Sequence, residues 1–284
     1  MDDSLYIYKL TPFLLEKLWG GTKLRTMYGK GGDSSYLAES WELSAHDAGP
    51  AHVCGGKYDG LTLKDLIDIL GEDSVGEKAS DMVKFPLLIK FINAEKPLSI
   101  QIHPNDEYAG LHENSLGKTE CWYVLDCKED TKMVMGHHAK TKEELVKAIE
   151  NDDYDQLLNK FDIKKGDFFY IPSGTIHAIC KGSLIYEAQQ SSDITYRVYD
   201  YHRKDKDGNE SPLSEACPFM TNVSGEWQSL NGIWATPNAT PESGEEEKDP
   251  SLWTDFTLEQ KMSIKEGGAF AMLVRMDDAG KNGY

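Results

Sequence analysis

Gly166-Asp-Phe-Phe-Tyr-Ile-Pro-Ser-Gly-Thr-Ile-His177 reads as a turn, a strand, a second turn and the start of another strand. Gly166-Asp167 launches the β-prone run Phe168 to Ile171, and Pro172-Ser-Gly174 ends it just before His177. Two segments upstream have the same character. Pro97-Leu-Ser-Ile-Gln-Ile-His103 alternates, with Leu98, Ile100 and Ile102 facing one way and Ser99, Gln101 and His103 the other. Glu120 opens the run Cys121-Trp-Tyr-Val-Leu125 after the turn Gly117-Lys-Thr. Ser183 to Glu187 adds another short run, and many short strands separated by turn signals predict a sandwich or jelly roll.

The three segments each offer a metal-ligating side chain. Gln101 and His103 sit two apart on one strand, so they share a face about 7 Å apart along the backbone. Together with Glu120 and His177 they supply two imidazoles, a carboxylate and an amide oxygen. That mix suits a borderline divalent ion such as zinc with a position left open for substrate. A single histidine is more often a surface or hydrogen-bonded group than a ligand, so the combination carries the inference. His46, His52, His112, His137, His138 and His202 have no such pattern and read as structural or solvated. A last cluster, Glu187 to Tyr201, contains Arg197, whose planar donors suit oxyanions; a hairpin salt bridge is the plainer alternative.

Two helices are legible. Thr62 is an N-cap for Leu66, Ile67, Ile69 and Leu70, with Gly71 as the stop. Thr141-Lys-Glu-Glu144 fits a capping box, followed by Leu145, Ile149, Leu157, Leu158 and Phe161; Asn151-Asp-Asp interrupts it, so it reads as one helix or two. Both are expected to pack outside the sheet core.

The 284 residues include 48 acidic and 30 basic side chains, a formal charge of −18. That field excludes nucleic acid and anionic lipid as natural partners, and at long range it also repels a sugar phosphate. The longest apolar runs are too short to span a bilayer, and Met1-Asp-Asp-Ser lacks the plan of a signal peptide. Five scattered cysteines (54, 121, 127, 180 and 217) without a CxxC predict free thiols and a cytoplasmic protein.

The pattern G-D-x4-P-x-G-x-x-H of residues 166–177 resembles the second motif of the cupin superfamily, whose histidine is a metal ligand. The series is wider. Leu18-Trp-Gly-Gly21, Glu39-Ser-Trp-Glu-Leu-Ser-Ala-His46, Pro86-Leu-Leu-Ile-Lys90, Gln101-Ile-His-Pro-Asn-Asp106, Gly117-Lys-Thr-Glu-Cys-Trp122, Pro172-Ser-Gly-Thr-Ile-His177 and Ser192-Asp-Ile-Thr-Tyr-Arg197-Val-Tyr-Asp200 together resemble the type I mannose-6-phosphate isomerases in their short bacterial form.

The resemblance implies an all-β cupin jelly roll, or double-stranded β-helix, with peripheral helices. It implies one zinc ion per chain, held by His103, Glu120 and His177, with Gln101 a fourth ligand in many relatives. The implied reaction interconverts mannose 6-phosphate and fructose 6-phosphate through a cis-enediol. Arg197 matches the active-site arginine, Glu187 a carboxylate that helps move the proton, and Lys118 an acid–base or phosphate-binding lysine. Competing readings on the same fold are a non-catalytic sugar-binding cupin and a non-haem iron dioxygenase using His103, Glu120 and His177. Residues 1–235 would form the catalytic domain, with a helical insertion near 141–161, in a monomer or homodimer. Thr236 to Pro250 reads as a solvated linker, and Phe270-Ala-Met-Leu-Val-Arg275 as an early strand of a shortened second jelly roll, whose exposed edges would lower stability or promote association.

Overall fold

A computed structural model describes residues 7–71, 74–75, 84–204, 208–210 and 213–214, and the backbone of the strands at 228–230 and 233–235. The expected linker, the strand at 270–275 and Cys217 lie outside the described residues. In chain order the strands begin with β1 Leu10–Thr11, β2 Phe13–Gly21, β3 Leu37–Ser44, β4 His52–Val53 and β5 Leu87–Ala94. They continue with β6 Ile100–Ile102, β7 Glu120–Cys127, β8 Lys132–His137, β9 Leu158–Asp162 and β10 Phe168–Ile171. The last are β11 His177–Ile179, β12 Ser183–Gln190, β13 Tyr196–Tyr199, β14 Gln228–Leu230 and β15 Ile233–Ala235. The helices are α1 Lys23–Tyr28, α2 Leu63–Leu70, α3 Asp106–His112, α4 Lys142–Glu150 and α5 Tyr154–Leu157.

An eight-stranded sheet in the order β14-β15-β10-β7-β12-β5-β3-β2 faces a five-stranded sheet, β13-β6-β11-β8-β9. Their inner faces meet in one cluster: Ile92, Trp122, Val124, Phe169, Ile171 and Ile185 from the larger sheet against Met133, Met135 and Ile179 from the smaller. The period of two explains the partition. On β8, Met133 and Met135 enter this core while Val134 turns outward; on β6, Ile100 and Ile102 turn outward and leave Gln101 inside. The outward set packs against Leu145 of α4 and Tyr154 and Leu157 of α5. The outer face of the larger sheet is covered by Leu63 and Leu66 of α2, with Leu10 and Val53 of the β1–β4 pair. This is a cupin-like all-β fold with peripheral helices. Among the described residues, no helix is long and apolar enough to cross a membrane.

The caps form as their sequences require. Thr62 Oγ1 accepts the Asp65 amide at 3.0 Å and Gly71 closes α2 with φ 77°. Thr141 Oγ1 accepts the Glu144 amide at 3.2 Å, while Glu144 reaches back to the Lys140 amide at 2.7 Å. The interruption at 151–153 resolves into two helices, with Asp152 in the left-handed region at φ 60°.

One expectation is corrected. Leu158 and Phe161 do not continue the helical apolar set; residues Leu158–Asp162 form β9, antiparallel to β8 with Met133 opposite Phe161. The free hydrogen-bonding edge of β8 claims them, and this tertiary pairing overrides the helical spacing of the leucines. Two short helices, α1 and α3, were not anticipated. The second had a local signal, since Asn105 Oδ1 accepts the Tyr108 amide at 2.8 Å and two acids fill the first turn.

Candidate metal centre and the charged row beside it

Register brings the candidate ligands together. His177 on β11 lies opposite Gln101 on β6, and Gln101 lies opposite Arg197 on β13. Directly opposed residues project to the same face, so His177, Gln101 and Arg197 form one inward row on the smaller sheet. His103 follows at the end of β6, its ring 4.8 Å from that of His177. From the facing sheet, β7 contributes Glu120, paired with Ile171 on one side and Gln189 on the other.

One ligand atom each from His103, Glu120 and His177 lies within 4.8 Å of the others, and all three residues are buried. His177 Nδ1 is 2.8 Å from the Thr175 carbonyl. A carbonyl only accepts, so the proton sits on Nδ1 and the Nε2 lone pair points into the cluster. There it stands 3.2 Å from Glu120 Oε1, while His103 Nε2 stands 3.7 Å from Glu120 Oε2. At His177 acceptor faces acceptor, and the nitrogens of His103 and both oxygens of Glu120 form no hydrogen bond within the cluster. Buried groups left in this state are costly unless a cation joins them. The donor set fits a divalent ion, with the Thr175 carbonyl orienting one imidazole from behind.

The electrostatics agree. Burial, then Lys118, holds His103 well below the ordinary imidazole value, keeping it in the neutral form that ligates. Burial alone would raise Glu120, but the Lys118 ammonium leads the interactions that outweigh it and hold the carboxyl below its ordinary value. Lys118 Nζ is 3.6 Å from Glu120 Oε2. Gln101 Nε2 is placed 3.4 Å from His177 Nε2, so its amide group borders the cluster.

A second inward row runs across the larger sheet through Phe13, Trp41, Lys90, Glu187, Trp122 and Phe169, each opposite the next. Trp122 Nε1 donates to Glu187 Oε2 at 2.7 Å, and Lys90 Nζ lies 3.5 Å from Glu187 Oε1. Lys90 also lies 3.6 Å from Glu39 Oε2 and 4.8 Å from the Trp41 ring centroid, while Trp41 Nε1 donates to Glu39 at 2.7 Å. One buried cation thus serves two carboxylates. Burial disfavours the Lys90 charge, yet Glu39 and Glu187 overcome this and raise its pKa. Burial, then Glu120, pushes Glu187 upward. The Trp122 ring meets His177 edge-on at 5.4 Å, so the row abuts the cluster.

All seven residues singled out from sequence therefore lie on or beside one inner surface. Lys90, Glu39, Trp41 and Trp122 stand in the matched motifs, but the sequence assigned them no role. The available signal was a lone lysine inside the apolar run Leu87–Ala94, a central-strand pattern in which an unpaired charge is not tolerated.

An all-β barrel that turns two histidines and a carboxylate inward from facing sheets defines a cupin-type protein with a candidate metal centre. A mannose-6-phosphate isomerase of Streptococcus mutans is 45% identical over 228 residues, covering 78% of this chain and 71% of that relative. The chain belongs to the type I phosphomannose isomerase family, whose catalytic-domain model matches residues 7–120. A probable mannose-6-phosphate isomerase of Bacillus subtilis is 50% identical over 209 residues, 72% of this chain; the chain spans only 64% of that relative's length. The crystal structure of a B. subtilis mannose 6-phosphate isomerase superposes with a TM-score of 0.68 at 42% identity, covering 80% of this chain and 74% of that one.

Proposed function

We propose that this chain interconverts mannose 6-phosphate and fructose 6-phosphate in the cytoplasm, as a monomer or homodimer. In this reading His103, Glu120 and His177 hold a zinc ion, with Gln101 as a fourth ligand. Residues 1–235 form the catalytic unit. The bound ion would supply Lewis-acid polarisation to adjacent sugar oxygens.

The chain's own residues supply the rest. Aldose–ketose isomerisation moves one proton between C2 and C1 through a cis-enediol. Glu187 takes that proton at a carboxylate oxygen and returns it to the neighbouring carbon; its raised pKa suits a base that must also release a proton. Trp122 Nε1 fixes one Glu187 oxygen, and Lys90 Nζ stands 3.5 Å from the other. Arg197, in the row with Gln101 and His177, stabilises the negative charge that develops on the enediolate oxygens, a role worth about 3 kcal/mol in comparable sites. Lys118, buried beside Glu120, holds a substrate oxygen or the phosphate by its ammonium.

The observation that carries this reading is the meeting of unpartnered His103 and Glu120 donors with a Glu187 of raised pKa on one inner surface, in a member of this family. The test is a coupled assay of fructose 6-phosphate formation. Turnover is expected to vanish on chelation and return with added zinc. A zinc-loaded full chain without turnover overturns the reading, as does tightly bound iron with oxygen uptake.

A further inference from the structure

Lys118 is buried, yet it is carried by residues 113–119, which lie outside helix and strand. A long side chain on irregular backbone needs external fixing to keep its ammonium in place. Three contacts fix it. The Lys118 amide donates to the Pro104 carbonyl at 2.9 Å. The Gly117 amide donates to Asp106 Oδ1 at 2.8 Å, and the Thr119 amide to Gln190 Oε1 at 2.8 Å. The two side chains also hold each other: Gln190 Nε2 lies 3.0 Å from Asp106 Oδ1 and 3.1 Å from Oδ2.

The pairing has a required polarity. Because Gln190 Oε1 accepts from Thr119, its NH2 must face Asp106, where only an acceptor fits. Closure also requires Gly117, since a Cβ there would come within 2.6 Å of the Asn105 carbonyl carbon and the Asp106 nitrogen. Asp106 opens α3 just after His103, and Gln190 ends β12 three residues after Glu187. The clasp therefore ties Lys118 to the two strands that carry other members of the site.

We propose that Asp106 and Gln190 are positioning residues that set Lys118 relative to Glu120, without touching substrate themselves. The proposal rests on the reading of Lys118 as an active-site group. Its test compares the zinc-loaded full chain with Asp106→Asn, Gln190→Glu and the double variant. Gln190→Glu sets two carboxylates against each other, and Asp106→Asn keeps Oδ1 for the Gly117 amide but replaces Oδ2, the second acceptor, by an NH2 that faces the Gln190 NH2. The double variant restores one donor and one acceptor with the direction reversed.

Each single variant is expected to keep its zinc, to lower kcat about tenfold with little change in KM, and to speed backbone hydrogen exchange in peptides spanning 113–120. The double variant should return kcat to within about threefold of the parent and restore slow exchange. Single variants with parental kcat overturn the proposal even if exchange accelerates, because the clasp is then structural only. A double variant no better than the single variants also overturns it. If the parent chain itself lacks turnover, the function proposed above fails separately, and exchange with its rescue decides only whether Asp106 and Gln190 hold the segment that carries Lys118.

Discussion

Replacing His177 with alanine is expected to abolish both metal binding and turnover. The substitution removes one of three groups that meet within 4.8 Å and leaves His103 and Glu120 facing each other without a third donor. It also removes the imidazole that the Thr175 carbonyl holds in the ligating tautomer at 2.8 Å. Zinc at about 1,000 times its Kd should stabilise the parent by about 4 kcal/mol, and this increment should disappear in the variant. The control is His137→Ala: His137 is also buried, on β8, but does not belong to the cluster. It should retain zinc and its stabilisation. Full zinc stoichiometry in the His177 variant would refute the ligand assignment.

Lys90→Met should cost about 3–5 kcal/mol of stability near neutral pH, because it removes the cation from a buried group and leaves carboxylates uncompensated. Lys90 is only 5% exposed and lies between Glu187, at 3.5 Å, and Glu39, at 3.6 Å. The loss should depend on pH in a defined direction. Glu187 already has a raised pKa, and removing Lys90 raises it further above its unfolded value. A folded state that binds a proton more tightly than the unfolded state gains stability as pH falls. The deficit should therefore shrink as pH is lowered from neutrality, in the direction that protonates Glu187. Adding Glu187→Gln should recover part of the loss at neutral pH. Denaturant melts in chelator isolate this effect from zinc binding. A pH-independent deficit below about 1 kcal/mol would show that Lys90 does not compensate these carboxylates.

Much of this site is readable in one dimension because period-two alternation acts over a few residues. Gln101 facing inward between Ile100 and Ile102, and His177 following the Pro-Ser-Gly turn, are local consequences of strand geometry. The caps at Thr62 and Thr141 are equally local. What escaped depends on pairing across distance. Leu158 and Phe161 have helical spacing, and only the nearby edge of β8 makes them a strand. Lys90 has no partner within its own strand; Glu39 and Glu187 reach it from β3 and β12. The Asp106–Gln190 clasp joins residues 84 positions apart, through side chains that look like ordinary loop and strand-end polarity. Cross-strand register decides these cases, and register is set by the assembled sheet.

His103, Glu120 and His177 are expected to enclose a single metal position. Anomalous diffraction from crystals of the zinc-loaded chain, collected above and below the zinc edge, addresses it most directly. One anomalous peak is expected, bounded by His103 Nε2, the Glu120 carboxylate and His177 Nε2, present above the edge and lost below it. Zinc bound elsewhere in the molecule, with these three side chains left in mutual contact, would contradict it.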